Sequence, residues 1–443
     1  MSPRNLVITL LERLDQTDAY ADILLTRELR NQALSSRDKA FVQEIFYGVI
    51  RWRLRLDWMI EQLFQGSFSK CPPFVKNILQ VSFYQLAFME RIPTYAVINE
   101  AVNSGKKRGG PYWGSKINAI LRHFSRDRAG VTWPDKRTSP VRHLAVRYSH
   151  PQWLVARWIS QWGIEETEAL CQADNQIPDV TVRVNRLKSS PDQLAETLSR
   201  LDVQVTQSTY SRDFLRLKHI PDLTELPSFQ QGWFTVQDVS AGLPCILIDP
   251  KPGERIIDLC AAPGGKSTYM AELAGDEAVL LAVDRNYARL NLVRQTVKRL
   301  GLRSIQFAQA DGVNFSSQPV DKILVDAPCS GLGVLSKRVD LRWKRTPEQI
   351  HELAEIQLNL LNNAAQFVRT GGVLVYCTCT IDPEENERVV EAFLAGHTYF
   401  EIEDASLFIG RELTQPDGSV RTLPHRHGMD GSFAVRLVKK SED

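Results

Sequence analysis

The stretch Arg255-Ile-Ile-Asp-Leu-Cys-Ala-Ala-Pro-Gly-Gly-Lys-Ser267 decides how the rest of the chain is read. Arg255–Leu259 is an apolar run of strand length, and the spacing over 266–274 predicts a helix. Between them lies a loop with two glycines, which lets backbone N–H groups approach a ligand at a helix start. Working outward, Val279–Val283, Lys322–Asp326 and Val373–Cys377 are further short apolar runs. Helical patterns at 286–300 and 347–369 separate them. Strands alternating with helices predict an α/β, doubly wound, Rossmann-like parallel sheet from about residue 232 to 443.

The loop's ligand follows by elimination. A P-loop needs G-x-x-x-x-G-K-[ST]. Gly265-Lys266-Ser267 fits its end, but Cys260 stands where the first glycine is required. The dinucleotide pattern G-x-G-x-x-G is absent too. The remaining common ligand is S-adenosylmethionine (AdoMet), cradled by Cys260, Ala261, Ala262, Pro263, Gly264, Gly265 and Lys266. Asp284 closes the next strand, where a carboxylate accepts both ribose hydroxyls. Asp311, in Gln309-Ala-Asp-Gly312, is placed to reach the adenine amino group. Either aspartate taken singly also reads as a helix cap.

Two more strands deliver thiols to the same edge. One runs into Asp326-Ala-Pro-Cys329-Ser-Gly331, the other into Thr378-Cys379-Thr380. Ligands in such sheets bind beyond the carboxyl ends of the strands. Cys71, Cys171, Cys245 and Cys377 read as small buried hydrophobes. No metal site is expected, because Cys377-x-Cys379 lacks paired C-x2-C spacing and nothing else converges with His425 and His427.

These motifs resemble the RNA cytosine-5 methyltransferase family. Asp258–Ser267, Asp326–Gly331, Thr378-Cys379 and Thr235-Val-Gln-Asp-Val-Ser240 carry the likeness. The resemblance implies methylation of C5 of a cytosine through a covalent adduct at C6. It implies that Cys379 is the nucleophile and that Cys329 assists product release; spacing alone leaves that choice open. Asp326 is then placed at the N3/N4 edge of cytosine and also counts among the AdoMet-binding residues, with Lys266 supporting it or contacting substrate. Two departures stand out. Cys377 replaces a small non-thiol residue, and Ser336-Lys-Arg-Val-Asp340 replaces a run richer in arginine. The second puts local RNA contacts in doubt.

Residues 1–140 show helical periodicity throughout: Phe41, Ile45, Val49, Trp52, Leu56, Ile60 and Leu63 fall on one helix face. Further helices are expected at 95–107 and 116–124, and a linker over 125–145. This part resembles a NusB-type helical RNA-binding domain, through Arg37-Asp-Lys39, Tyr47-Gly-Val49 and Pro93–Glu100. Residues 141–231, with the alternating strand Val180–Val184, read as a small α+β module. Thr346-Pro-Glu-Gln349 and Asp382-Pro-Glu-Glu385 read as capping boxes starting helices. The expected architecture is multidomain: all-α, then α+β, then α/β.

Composition sharpens the partner. The chain has 443 residues, 43% hydrophobic and 24% charged, which excludes a disordered chain or a disulfide mini-scaffold. Seven cysteines, an odd and sparse count, fit free thiols in a reducing, cytoplasmic compartment. No apolar run is long enough for a membrane span. The net charge of +2 is a sum of unlike parts: residues 1–150 hold 23 basic and 13 acidic side chains, and residues 101–150 alone hold 11 and 2. Lys106, Lys107, Arg108, Lys116 and Arg122, interleaved with aromatic residues, read as a phosphate-tracking surface. The partner is expected to be RNA, namely 16S rRNA before full 30S assembly, bound by a monomer. A tRNA methyltransferase and a non-catalytic assembly factor are the competing readings.

Overall fold

Helical residues from the first third of the chain bury one continuous core. The computed structural model describes residues 2–220 and 222–441, so the outermost residues of the 1–140 and 232–443 ranges lie outside it. Its contacts divide into two compact units: residues 1–176 with Leu335–Lys344, and residues 177–334 with 345–443.

The first unit is built from helices, two of them started by serine caps. Ser2 and Ser35 cap Pro3–Gln16 and Ser36–Arg51 by accepting the amides of Asn5 and Asp38. The single helix expected from Phe41 to Leu63 is two, Ser36–Arg51 and Arg53–Glu61. Trp52 breaks it at φ −104° and ψ 14°. The ring of Trp52 stacks on Phe88 at 4.9 Å, and Ser149 Oγ accepts the amide of Leu54. Tertiary partners therefore replace the missing helical bonds. Pro73–Phe88 runs through the core, with Val75, Ile78, Leu79 and Phe83 fully buried.

Thr94–Arg126 is a hairpin of two helices. Gly110 sits between them at φ +81°, a left-handed conformation that glycine adopts without strain. The arms pack closely at Gly105, where a Cβ would strike Ile117 Cδ1 at 2.6 Å and lie 3.6 Å from the Gly114 Cα. The expected linker over 125–145 is instead structured. Trp58 Nε1 donates to the Thr132 carbonyl at 2.8 Å. Trp133 receives the guanidinium groups of Arg55 and Arg147, each at 5.1 Å, and Pro140–Tyr148 is helical.

Leu335–Lys344 joins this unit from far along the chain. Asp340 accepts the amide of Ala21 at 3.0 Å. Val339 packs in the helical core. Arg342 is fully buried and donates to the carbonyls of Arg51, Ser149, Asp174 and Leu335 and to Asn175 Oδ1. Burial pulls its pKa down to about 10. The run Ser336–Asp340 thus begins a buried anchor, with Val339 and Asp340 facing protein.

The second unit holds two sheets. In the first, β1 (Val180–Val184), β2 (Gln204–Gln207), β3 (Phe214–Lys218) and β4 (Phe234–Val236) pair antiparallel in the order β2-β3-β1-β4. Strand β4 lies beyond residue 231, so the small sheet runs past the expected module end. The second sheet contains β5 (Arg255–Asp258), β6 (Val279–Asp284), β7 (Ile305–Gln309), β8 (Val320–Asp326), β9 (Val368–Thr378), β10 (Phe400–Glu403), β11 (Val420–Thr422) and β12 (Ser432–Lys439). Its order is β10-β12-β9-β8-β5-β6-β7, with β11 on β12. Strands β5 to β9 run parallel, and β12 is antiparallel to β9. The chain reverses its winding between β5 and β8, which opens a crevice at their carboxyl ends.

Candidate active site

The loop after β5 is fixed by its neighbours. Ala261 donates to the Val283 carbonyl at 2.8 Å, and Gly264 to the Ala261 carbonyl at 2.7 Å. Gly264 has φ +101°, and a Cβ there would strike Val293 at 2.7 Å, so no other residue fits. The helix Gly265–Leu273 follows. A cleft of about 370 Å³ opens at this edge. Its walls carry Cys260, Ala262, Asp284, Asp311, Asp326, Cys329 and Cys379. Ala261, Pro263, Gly264, Gly265 and Lys266 are not among its wall residues; they shape the loop from behind.

The carboxylates are held differently. Asp284 is buried and accepts the amides of Ala262 and Asn286, at 3.1 and 2.8 Å. Asp311 is exposed and accepts the Val313 amide at 3.1 Å. Both acids, the apolar wall of Leu259 and Leu360, and the cleft volume fit an AdoMet-sized ligand.

Lys266 and Asp326 form an ion pair of 2.7 Å. Burial works to lower the Lys266 ammonium, but Asp326 outweighs it and holds the amine above its ordinary value. On the other carboxylate oxygen, Asp326 accepts the Cys377 thiol at 3.5 Å. Cys377 is buried on β9, as expected, yet it also helps orient Asp326.

The two strand-end thiols meet. Cys329 and Cys379 place their sulfurs 3.1 Å apart, and the Cys379 amide donates to Cys329 Sγ at 3.3 Å. The hydrogen bond from Cys329 holds the exposed Cys379 below the ordinary thiol range. The same bond, with burial, pushes Cys329 well above it. Of the two, Cys379 is the thiol whose deprotonation this contact favours.

A buried polar network braces both loops. Glu385 accepts the Ser330 amide at 2.7 Å, Gln357 Nε2 at 3.0 Å and the Ser330 hydroxyl. Ser330 and Thr380 share a 2.9 Å hydrogen bond, linking the residues next to Cys329 and Cys379. Arg345 Nε donates to the Ser330 carbonyl at 2.8 Å. This consumption of Glu385 corrects the second capping box: the helix starts at Glu387, and Asp382 caps only a turn at Glu384. Thr346 does cap Pro347–Ala365.

Sequence reasoning passed over Arg183. It is buried on β1 and grips the carboxylate of Glu272 through two nitrogens, at 3.1 and 2.8 Å. It also donates to the Gly265 carbonyl at 2.7 Å and to Gln237. A lone arginine inside an apolar strand was the available signal. Asp258 is fully buried, bonded to Ser267 at 2.5 Å, and burial raises its pKa to about 7.

The phosphate-tracking set is divided. Arg108 pairs with Glu12 at 2.6 Å and lies over Phe74. Lys116 donates to the Gln65 carbonyl and sits 4.0 Å over the Phe64 ring. Lys106 and Lys107 are exposed, as is Arg122, whose Nε bonds Asn118.

Comparison with known proteins now decides the family. The chain is 38% identical over 99% of its length to the probable ribosomal RNA small subunit methyltransferase B of Synechocystis, spanning 100% of that protein. It belongs to the 16S rRNA methyltransferase RsmB/F family. That family's model matches residues 245–438, a NusB family model matches 1–126, and a ferredoxin-like domain of RsmF/B-like methyltransferases matches 150–224. The probable methyltransferase B of Bacillus subtilis is 35% identical, with 99% of each chain covered. A crystal structure of the protein PH0851 is similar over 99% of both chains, at 26% identity and TM-score 0.81. NSun6 from Pyrococcus horikoshii, solved with SFG, covers 66% of this chain and 99% of its own at 25% identity and TM-score 0.60. As a member of the family the chain is an AdoMet-dependent rRNA methyltransferase.

Proposed function

We propose that the chain methylates C5 of a cytosine in 16S rRNA through a covalent bond from Cys379 to C6. One observation carries this reading: two thiols 3.1 Å apart share a cleft wall with an aspartate ion-paired to a lysine. C5 of cytosine is too weak a nucleophile to take a methyl group unaided. Addition of the Cys379 thiolate at C6 moves an electron pair towards C5. Asp326 accepts the N4–H, and a proton taken up from solvent at N3 beside the same carboxylate neutralises the charge that develops there and is given back when the thiolate leaves. Lys266 and Cys377 keep that carboxylate in place. AdoMet, held by the β5 loop with Asp284 and Asp311, supplies an electrophilic methyl group. Loss of the C5 proton to a base lets the C6–S bond break. Cys379 then leaves as thiolate, and the Cys329 S–H beside it stabilises the departing sulfur.

The target base must leave its stack to reach Cys379, so loop or single-stranded RNA is the expected substrate. The enzyme is read as a cytoplasmic monomer acting before full 30S assembly, with the exposed Lys106, Lys107 and Arg122 contributing phosphate contacts. Unmodified 16S rRNA incubated with labelled AdoMet, followed by mapping of the labelled base, tests the reading. Label on 5-methylcytosine is the expected result. Label confined to tRNA, or on another base, overturns it.

A further inference from the structure

A second cleft lies in the helical unit, between the two arms of the Thr94–Arg126 hairpin. Its volume is about 490 Å³, and its walls include Thr94, Tyr95, Ile98, Asn99, Arg122 and Arg126. Three features set it apart from the rest of the basic surface. Tyr95 is a large aromatic on the cleft wall with 71% of its surface exposed, leaving its ring face open. Arg122 and Arg126 spend Nε on their own helix, on Asn118 Oδ1 and the Arg122 carbonyl. Among the described residues no carboxylate pairs with either, whereas Arg108 is taken by Glu12. No acidic side chain stands among the cleft walls, and Asn99 adds an exposed amide.

We propose that this cleft binds one nucleotide of single-stranded substrate RNA, its base stacked on Tyr95 and its flanking phosphates on Arg122 and Arg126. The volume suits a nucleotide. A ring that stacks a base beside two guanidinium groups is the pairing by which proteins hold unpaired RNA. Asn99 faces the base edge with both a donor and an acceptor. The buried Ile98 closes the cleft floor, so a flat base enters more readily than a duplex. Burial of an unpaired base here gives the helical unit a grip that depends on strand state, beyond the phosphate attraction of Lys106 and Lys107. The proposal rests on the reading of the substrate as rRNA.

The test measures KM for unmodified 16S rRNA, and direct filter binding of the same RNA, for the full-length protein. The variants are Tyr95→Ala, Tyr95→Phe and the double change Arg122→Gln with Arg126→Gln. Tyr95→Ala is expected to weaken RNA binding roughly 5- to 100-fold, from the loss of one stacked base, while Tyr95→Phe keeps near-normal affinity. The double change is expected to reduce the slope of log K against log salt by about 1.4 to 1.8, the share of two phosphates. AdoMet affinity stays constant in all three, and melting temperature reports the fold. Unchanged KM and unchanged salt slope in folded variants overturn the proposal while leaving the methylation reading intact. Variants that keep RNA affinity but lose a co-purifying protein partner also overturn it. A wild-type enzyme that methylates no cytosine in 16S rRNA breaks the functional reading instead, and the binding measurements still judge the cleft.

Discussion

The thiol edge of the large sheet and the basic hairpin at Thr94–Arg126 solve opposite problems. At the thiol edge nearly every polar group is pinned by another: Asp326 by Lys266 and Cys377, Ser330 by Glu385 and Arg345, Cys329 by Cys379. On the hairpin several charges stand in solvent, and those that are pinned serve the fold. Bond-making needs atoms placed within a fraction of an ångström, so it is built on strand ends braced from behind. Attraction of a polyanion needs only positive potential over many ångströms, which loose side chains supply.

The largest effect that can break this contrast lies at the sulfurs. Cys379→Ala should remove methyl transfer by a thousandfold or more in single-turnover assays with labelled AdoMet. Cys329→Ala should instead leave a covalent RNA–protein complex, seen as a shifted band on a denaturing gel. It should also move the pH profile. The Cys329 hydrogen bond favours the Cys379 thiolate, so its loss raises the Cys379 pKa. Alkylation of Cys379 by iodoacetamide, followed against pH, should therefore rise at higher pH in Cys329→Ala than in the parent. A shift in the other direction would reverse the roles of the two thiols.

Asp326→Asn comes next, with an expected loss of about 10²- to 10³-fold in kcat and little change in AdoMet affinity. Glu385→Ala should act through position. Leaving the Ser330 amide and the Gln357 side chain without their acceptor costs about 1–3 kcal/mol. Its signature is a lowered melting temperature together with a fall in kcat as the two sulfurs separate. Full activity in Glu385→Ala would show that the brace is not needed.

The smallest effects lie on the hairpin, and they sort its charges. Lys107→Ala should reduce the salt slope of RNA binding by somewhat less than 1 and leave stability alone. Arg108→Ala should do the reverse, costing up to about 1 kcal/mol of stability through the Glu12 pair while RNA affinity barely moves. Equal behaviour of the two would erase the division between solvated and structural charges.

The legible part of the fold was the part written in local pattern. Alternating apolar runs and helices foretold the parallel strands, and the loop at Cys260–Lys266 announced itself by its glycines. The strand ends at Asp326 and Thr378 declared where the thiols emerge. Less legible were features that depend on a distant partner. Ser36–Leu63 looked like one helix because periodicity runs through Trp52; the break comes from Phe88 and Ser149. Residues 125–145 looked like a linker because proline and charge dominate, yet Trp133 is held between Arg55 and Arg147. Asp382–Glu385 had the letters of a capping box, but Ser330, 55 residues away, claims Glu385.

The sequence by itself determined the class of sheet and the glycine loop, because these rest on residue type and short spacing, while the reaction entered through the motifs' resemblance to a family. Tertiary structure brought the two thiols together, through a 3.1 Å contact between strand ends 50 residues apart. It also decided which positive charges are paired within the protein and which stand in solvent. Spacing along a chain fixes which faces its side chains share; only folding brings two distant side chains to hydrogen-bond distance, where electrostatics assigns their protons and partners.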